Sequence, residues 1–343
     1  MDTLDGFLKR QRRAVLLAWL VSIVAAIPFA ARQTEHLSSG GFGVPGSGSQ
    51  AVDAALGRFP GVSRDQLAVV LQSRDSQKLR PALARLDRLL AGRPHVALTP
   101  AAKRAALAQS GRPVVVVPLK VSGTLEQSAN LAVELHRELH PGQTRDGVAY
   151  YLVGQEALWA GMQDVSKRQL ASAERVGFPI VLLILLAVFG SLAAALLPLA
   201  LGAASVLVTG AVIWWLSQQL EMSVFVTNVA SMIGIGVAVD YSLFVLARYR
   251  EEVIAGASPA EARRRAMRTS GLAVAFSGIT VIIALAGLFV VDSQTLRSMA
   301  MGAIVVVAVS ILAALTLLPS LMSMLGRRAY ARDRFAIAIA YVL

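Results

Sequence analysis

The sequence predicts an α-helical membrane protein with six transmembrane helices and an α+β, ferredoxin-like domain outside the cytoplasm between helices one and two. Three observations predict it. The 343 residues are 55% hydrophobic and 16% charged, with a mean hydropathy of +0.60, a balance that belongs to membrane proteins. Six apolar segments stand out, at about 14–30, 176–191, 194–216, 223–247, 271–291 and 296–318. Between the first two lie about 140 residues polar enough for water, whose patterns run β-α-β-β-α-β.

Residues 1–31 form a basic N-terminus and the first helix. Lys9, Arg10, Arg12 and Arg13 precede the apolar run and place its start in the cytoplasm. The basic start and the Ala30-Ala31 pair also have the form of a secretory signal peptide. The remaining topology works with a retained anchor, which is the expectation.

Residues 32–172 form the extracytoplasmic domain. The stretch 38–49 is rich in Gly and Ser, holds Pro45, and reads as a linker. A strand is expected at 66–72 and a helix at 75–91, with Leu79, Leu83, Leu86 and Leu90 on one face. A short strand at 96–98 precedes a strong one at 113–121, where Val114 to Val117 run together. A helix at 125–139 and a strand at 149–153 complete the order, and a long helix from about Glu156 leads into the second apolar segment.

Residues 173–325 hold helices two to six. Counting crossings from a cytoplasmic N-terminus puts the loop 248–270 and the tail 326–343 inside. Arg248, Arg250, Arg263, Arg264, Arg265 and Arg268 lie in the first, and Arg327, Arg328, Arg332 and Arg334 in the second. The loops 217–222 and 292–295 fall outside and hold no Lys or Arg. Ser258-Pro259-Ala260-Glu261 reads as a capping box with Pro at the first helical position. The arginines after it signal topology and also suit anionic lipid headgroups.

The charge of +12 is spent on this topology, which argues against nucleic acid. There is no cysteine, hence no disulfide and no thiolate chemistry. His136 and His140 stand four apart without a third metal ligand, and a solvated helix face is expected. Asp292 and Arg297 read as loop charges, and Trp159, Trp214 and Trp215 as interfacial anchors or packing. Gly234-x-Gly236 lacks the strand-turn-helix setting of a nucleotide loop. No triad, metal site or cofactor loop is present in the sequence, so neither an enzyme nor a cofactor is expected.

Asp240 is the residue with chemistry. An Asp at the centre of a transmembrane helix costs roughly 2.5 to 3.5 kcal/mol and marks a proton relay, an ion site or a paired charge. No Lys, Arg or His lies in the interior of the apolar segments, so a permanent ion pair within the chain is not expected, and a carboxyl that gains and loses a proton fits better. A protonated Asp held for packing alone is the bland alternative. Tyr241 supplies a hydroxyl beside it. Gly236 and Phe244 lie one turn away on the same face, and Gly234 with Ala238 forms a small-xxx-small pair for close helix approach. The expectation is an Asp240 turned into the bundle. Asp240 stands eight residues before Arg248, about 12 Å of helix, and Ser277 and Thr280 lie at about that depth in segment five. Both are candidate hydrogen-bond partners.

One helix, an external domain, then five helices with Gly-x-Gly-x-Ala-x-Asp-Tyr in the fourth resembles half of an RND-superfamily transporter, of the MmpL (mycobacterial membrane protein large) branch. The run 234–251, GIGVAVDYSLFVLARYRE, is similar to that branch's fourth-helix signature, and Phe42-Gly43-Val44-Pro45-Gly46-Ser47 to the opening of its external domain. The resemblance covers about 1–334. It implies proton-driven export of lipids or other hydrophobic molecules across a bacterial inner membrane. Asp240 and Tyr241 would be the relay pair, Phe244 and Ser277 would line it, and 32–172 would be a porter-type domain. Members carry two such halves per chain, each giving an Asp-Tyr pair. A single half implies either a fragment or a half-size protein, with a homodimer or a second half-transporter as partner. The alternatives are a SecD/SecF-like accessory of protein secretion, a sensor or scaffold, and an inactive truncated half.

Overall fold

In hydrocarbon a backbone without side-chain partners can satisfy its N–H and C=O groups only by coiling on itself. The computed structural model follows that rule and describes residues 2–34, 37–38, 47–48, 51–52, 55, 67–109, 111–122 and 125–325. His36, most of the linker 38–49 with Phe42 to Gly46, and the tail 326–343 lie outside the described residues. The principal elements in chain order are α1 (Asp2–Ala31), β1 (Leu67–Gln72), α2 (Leu79–Leu90), β2 (Val96–Ala97), α3 (Pro100–Ala108), β3 (Val114–Val121), α4 (Leu125–Leu139), β4 (Thr144–Arg145), β5 (Val148–Val153), α5 (Gln155–Phe189), α6 (Leu192–Leu216), α7 (Phe225–Ile254), α8 (Pro259–Ala266), α9 (Leu272–Ala286), α10 (Gln294–Leu312) and α11 (Leu318–Leu325). They fall into a helical unit, Met1–Leu37 with Leu170–Leu343, and an α+β unit, Ser38–Gln169.

The α+β unit is built on one antiparallel sheet of order β2-β3-β1-β5-β4. β3 alternates exposed and buried residues along its length, so Val115, Val117, Leu119 and Val121 face the core. α2 lays Leu79, Leu83, Leu86 and Leu90 on the same core, and α4 adds Leu131, Leu135 and Leu139. Each such leucine removed from water contributes about 1.5 to 3 kcal/mol. Two elements go beyond the expected order. α3 is set by Thr99, whose Oγ1 accepts from Ala102 N at 3.2 Å, with Pro100 at the first position. β4 pairs with β5 through a two-residue turn in which Asp146 (φ 56) and Gly147 (φ 80) take the left-handed conformation that such hairpins demand.

Among the described residues five helical stretches are long and apolar enough to cross a membrane: Gln11–Ala31, Leu192–Leu216, Phe225–Ile254, Pro259–Val290 and Gln294–Leu325. The sixth expected crossing, Arg175–Phe189, is apolar but falls short of the ~20 residues a bilayer needs. It is the end of the 35-residue α5, whose earlier turns are polar. Two π-helical turns, Met267–Gly271 and Ala313–Leu317, keep α8 with α9 and α10 with α11 as continuous rods.

Glycine decides how the helical unit packs. A Cβ on Gly302 would stand 2.3 Å from Val226 Cγ2, and one on Gly234 would stand 2.4 Å from Val306 Cγ2. Only hydrogen at these positions lets α7 and α10 approach so closely. α6 joins them, with Gly202 facing the Ile235 backbone. α1 docks through Trp19, whose Nε1 donates to Thr316 Oγ1 at 3.0 Å. Half of the apolar window is buried in Leu192–Leu216 and in Gln294–Leu325, against 11% in Pro259–Val290. α9 therefore lies at the periphery of its unit.

Candidate functional site

α7 has two faces, and the residues expected to act together divide between them. Gly234, Ala238, Tyr241 and Val245 repeat at helical spacing and are buried against the rest of the unit. Met232, Gly236, Asp240 and Phe244, four residues apart, form a second stripe, and all four are exposed. Met232 is 68% and Phe244 66% exposed, and a Cβ on Gly236 would meet nothing within 4 Å. The expectation that Asp240 turns into this chain's own bundle is thereby overturned. Asp240 follows Ala238 by two residues, which is about 200° of rotation at 3.6 residues per turn. The small-residue pair that draws α7 inward places Asp240 on the opposite side.

Asp240 makes no hydrogen bond or ion pair with any described residue. Tyr241, the next residue, is 6% exposed, and its hydroxyl is buried without a well-formed hydrogen bond. Ser277 of α9 is its polar neighbour, so one of the two expected hydroxyls reaches the pair, through Tyr241 rather than Asp240. Thr280 does not reach it: its Oγ1 donates to Phe276 O at 2.9 Å in its own helix. Sequence reasoning missed Gly278. A Cβ there would lie 2.3 Å from Ile311 Cδ1 and 3.1 Å from Tyr241 Oη, so this glycine lets α9 pass over the tyrosine hydroxyl. The available signal was a lone glycine inside an apolar helix. Phe276, Ile279 and Ile283 continue the open apolar surface along α9.

The basic segment after α7 is tied down by charge. Glu252, 8% exposed, accepts from Arg248 at 2.5 Å and from Arg265 at 3.1 Å. Ser258 caps α8 by accepting from Glu261 N, and the Glu261 carboxylate takes Arg265 at 2.6 Å. Arg297 and Asp292 pair at 3.1 Å beyond the other end of α9. Among the described residues no three His, Asp or Glu gather as for a metal ion. His140 closes α4 with φ 47 and sets its Nδ1 3.0 Å from Glu138 O.

Residues 46–338 fit the model of the MMPL family. The chain belongs to the MMPL family. It is 41% identical over 98% of its length to the mycolic acid-containing lipids exporter MmpL11 of Mycolicibacterium smegmatis, of which it spans 36%. The heme uptake protein MmpL11 of Mycobacterium tuberculosis is likewise 41% identical over 97% of this MMPL chain. The membrane protein YdfJ of Bacillus subtilis is 26% identical over 95%. This MMPL chain thus spans about a third of the mycobacterial relatives, 36% and 35%. The crystal structure of SecDF, a translocon-associated membrane protein from Thermus, shares the fold: TM-score 0.51 at 16% identity over 92% of this chain and 38% of that one.

Proposed function

We propose that this MMPL chain works in proton-driven export of lipids or other hydrophobic molecules, with Asp240 and Tyr241 as the proton-relay pair. The observation that carries the reading is the exposed Asp240 on an apolar face. An ionised carboxylate there costs roughly 2.5 to 3.5 kcal/mol on insertion scales, and protonation removes that cost. Such a group switches between a state stable in an apolar surrounding and one that is not, and the switch is a way to drive a conformational change. Gly236 and Phe244 flank it, and Ser277 is the polar neighbour of the tyrosine hydroxyl. Relatives named as a lipid exporter and as a heme uptake protein support a large, mostly apolar cargo.

The working unit in this reading has six crossings, with Arg175–Phe189 as a short second span extended by the rest of α5. The N-terminus and tail are cytoplasmic, in a bacterial inner membrane. Residues 32–172 form the extracytoplasmic porter-type domain, of ferredoxin-like kind, through which cargo leaves. The open face of α7 and α9 is covered by a second half, either another copy of this chain or a different half-transporter, which brings its own Asp-Tyr pair. The likeness to SecDF concerns the fold and carries no argument for protein secretion.

Transport of a fluorescent lipid by the chain in proteoliposomes under an imposed pH gradient tests the reading. Asp240→Asn is expected to abolish gradient-dependent transport with assembly intact. Undiminished transport by Asp240→Asn would end the proposal.

A further inference from the structure

The α+β unit contains a cavity that the transport reading does not use. Its volume is about 310 Å³, and it opens between α2, the end of α4 and the β4–β5 hairpin. Leu86, Leu89 and Leu139 give it an apolar floor, and Tyr150, 5% exposed, stands at the back. Specific pockets are built in this way, mostly apolar with a few placed polar groups, and run from roughly 300 to 1,000 Å³. The small end of that range suits a polar head with one short apolar body.

The charges at the rim decide the kind of head. Arg85 binds Asp146 at 2.6 Å, which fixes the hairpin tip and satisfies that carboxylate. Glu138 is the one carboxylate in the lining, and Arg93 holds both its oxygens, at 2.5 and 2.6 Å. Arg93 Nε also donates to Leu89 O at 3.0 Å, so the same guanidinium meets the negative end of α2. Arg145, also in the lining, makes no hydrogen bond or ion pair with a described residue. Its charge acts on the neighbouring Asp146, whose carboxylate is already held by Arg85, so Arg145 keeps its hydrogen-bond donors for a ligand beside the apolar floor. His140, held at the rim by its backbone conformation, adds a ring nitrogen.

The geometry points to a binding site for an amphiphile with a single anionic head, a phosphate or carboxylate, and a short apolar body. Arg145 pairs with the head, the Tyr150 hydroxyl donates to it, and the three leucines receive the chain. The site uses none of the residues of the proton-driven reading, and failure of that reading leaves it untouched.

Equilibrium dialysis of radiolabelled octyl phosphate against the full chain in phosphatidylcholine nanodiscs, with empty nanodiscs subtracted, tests it. Saturable binding of one molecule per chain is expected. Arg145→Gln should weaken it about tenfold, the loss of one charge-assisted contact, while Arg145→Lys retains most of it. Arg112→Gln, an exposed arginine outside the cavity, should change nothing. Doping the nanodiscs with phosphatidic acid separates the sources: competition assigns the head to a membrane lipid, and its absence assigns a free amphiphile. No saturable binding, equal binding by Arg145→Gln, equal displacement by octylamine, or equal affinity for inorganic phosphate would each overturn the site.

Discussion

Gly234 and Gly236 stand two residues apart on the same helix and do opposite things. At Gly234 an added methyl would run into Val306 at 2.4 Å and Val206 at 3.2 Å. At Gly236 it would meet open space. The first glycine is a packing device inside this chain. The second keeps clear a strip whose next turn carries Asp240. The contrast teaches that α7 has two faces, one packed within the chain and one exposed, and that the carboxylate lies on the exposed one.

Substitutions on the two faces should separate stability from function. The largest effect belongs to Asp240→Leu. Transport should vanish while the chain becomes easier to insert, by roughly the 2.5 to 3.5 kcal/mol that a mid-helix Asp costs. Flux assays and insertion efficiency read the two halves of that statement, and retained flux would break it. Next comes Gly234→Ala, expected to destabilise by about 1 to 3 kcal/mol through overpacking against a branched valine, read as a lower Tm in detergent. An unchanged Tm would show that α7 and α10 can separate freely. Gly236→Ala should leave the stability of the single chain within about 0.5 kcal/mol, or raise it slightly through helix propensity. A transport loss with unchanged Tm would place a partner against that face.

The smallest effect lies in the α+β unit. Hydrogen bonding to Arg85, then its charge, lowers the pKa of Asp146 below the ordinary carboxylate value. The group therefore adds stability above its unfolded pKa of about 4 and loses it as pH falls through the lower folded value. Both partners are exposed, so the effect is slight. Tm of the wild type and of Asp146→Asn should differ a little at pH 6 and converge in acid, as the Asp146 carboxylate takes up its proton. A gap that persists in acid would mean that the turn geometry, rather than the ion pair, is what Asn disturbs.

Water made the α+β unit more legible than lipid made the helical one. In α2 the leucines at helical spacing named the buried face because the other face had to be polar. In α7 both faces are apolar, so hydrophobicity carries no phase information, and only small residues mark the packed side. That marker was in the sequence, yet Ala238 points about 200° and Gly234 about 240° away from Asp240, so the inference drawn from them had the wrong sign. Gly278 was legible only as a glycine, because its importance rests on Ile311 arriving from another helix. The hairpin at Asp146-Gly147 and the cap at Thr99-Pro100 were local signals, overlooked because the strand before the turn and the helix after the cap are two and nine residues long.

The π-helical turn at Ala313–Leu317 means that the last rod carries one residue more than an α-helix of the same rise would hold. Pro319 comes two residues after it and lacks the N–H that Leu315 O would otherwise receive, so the wide turn sits where the ladder is already short of a donor. The phase of everything beyond is offset by about 100°. Leu318, Ser320 and Met322 reach the core in that shifted phase. Deleting a single residue from the turn would lengthen no loop and break no helix, but it would rotate these side chains out of register. A reading frame of contacts is stored in that one extra residue.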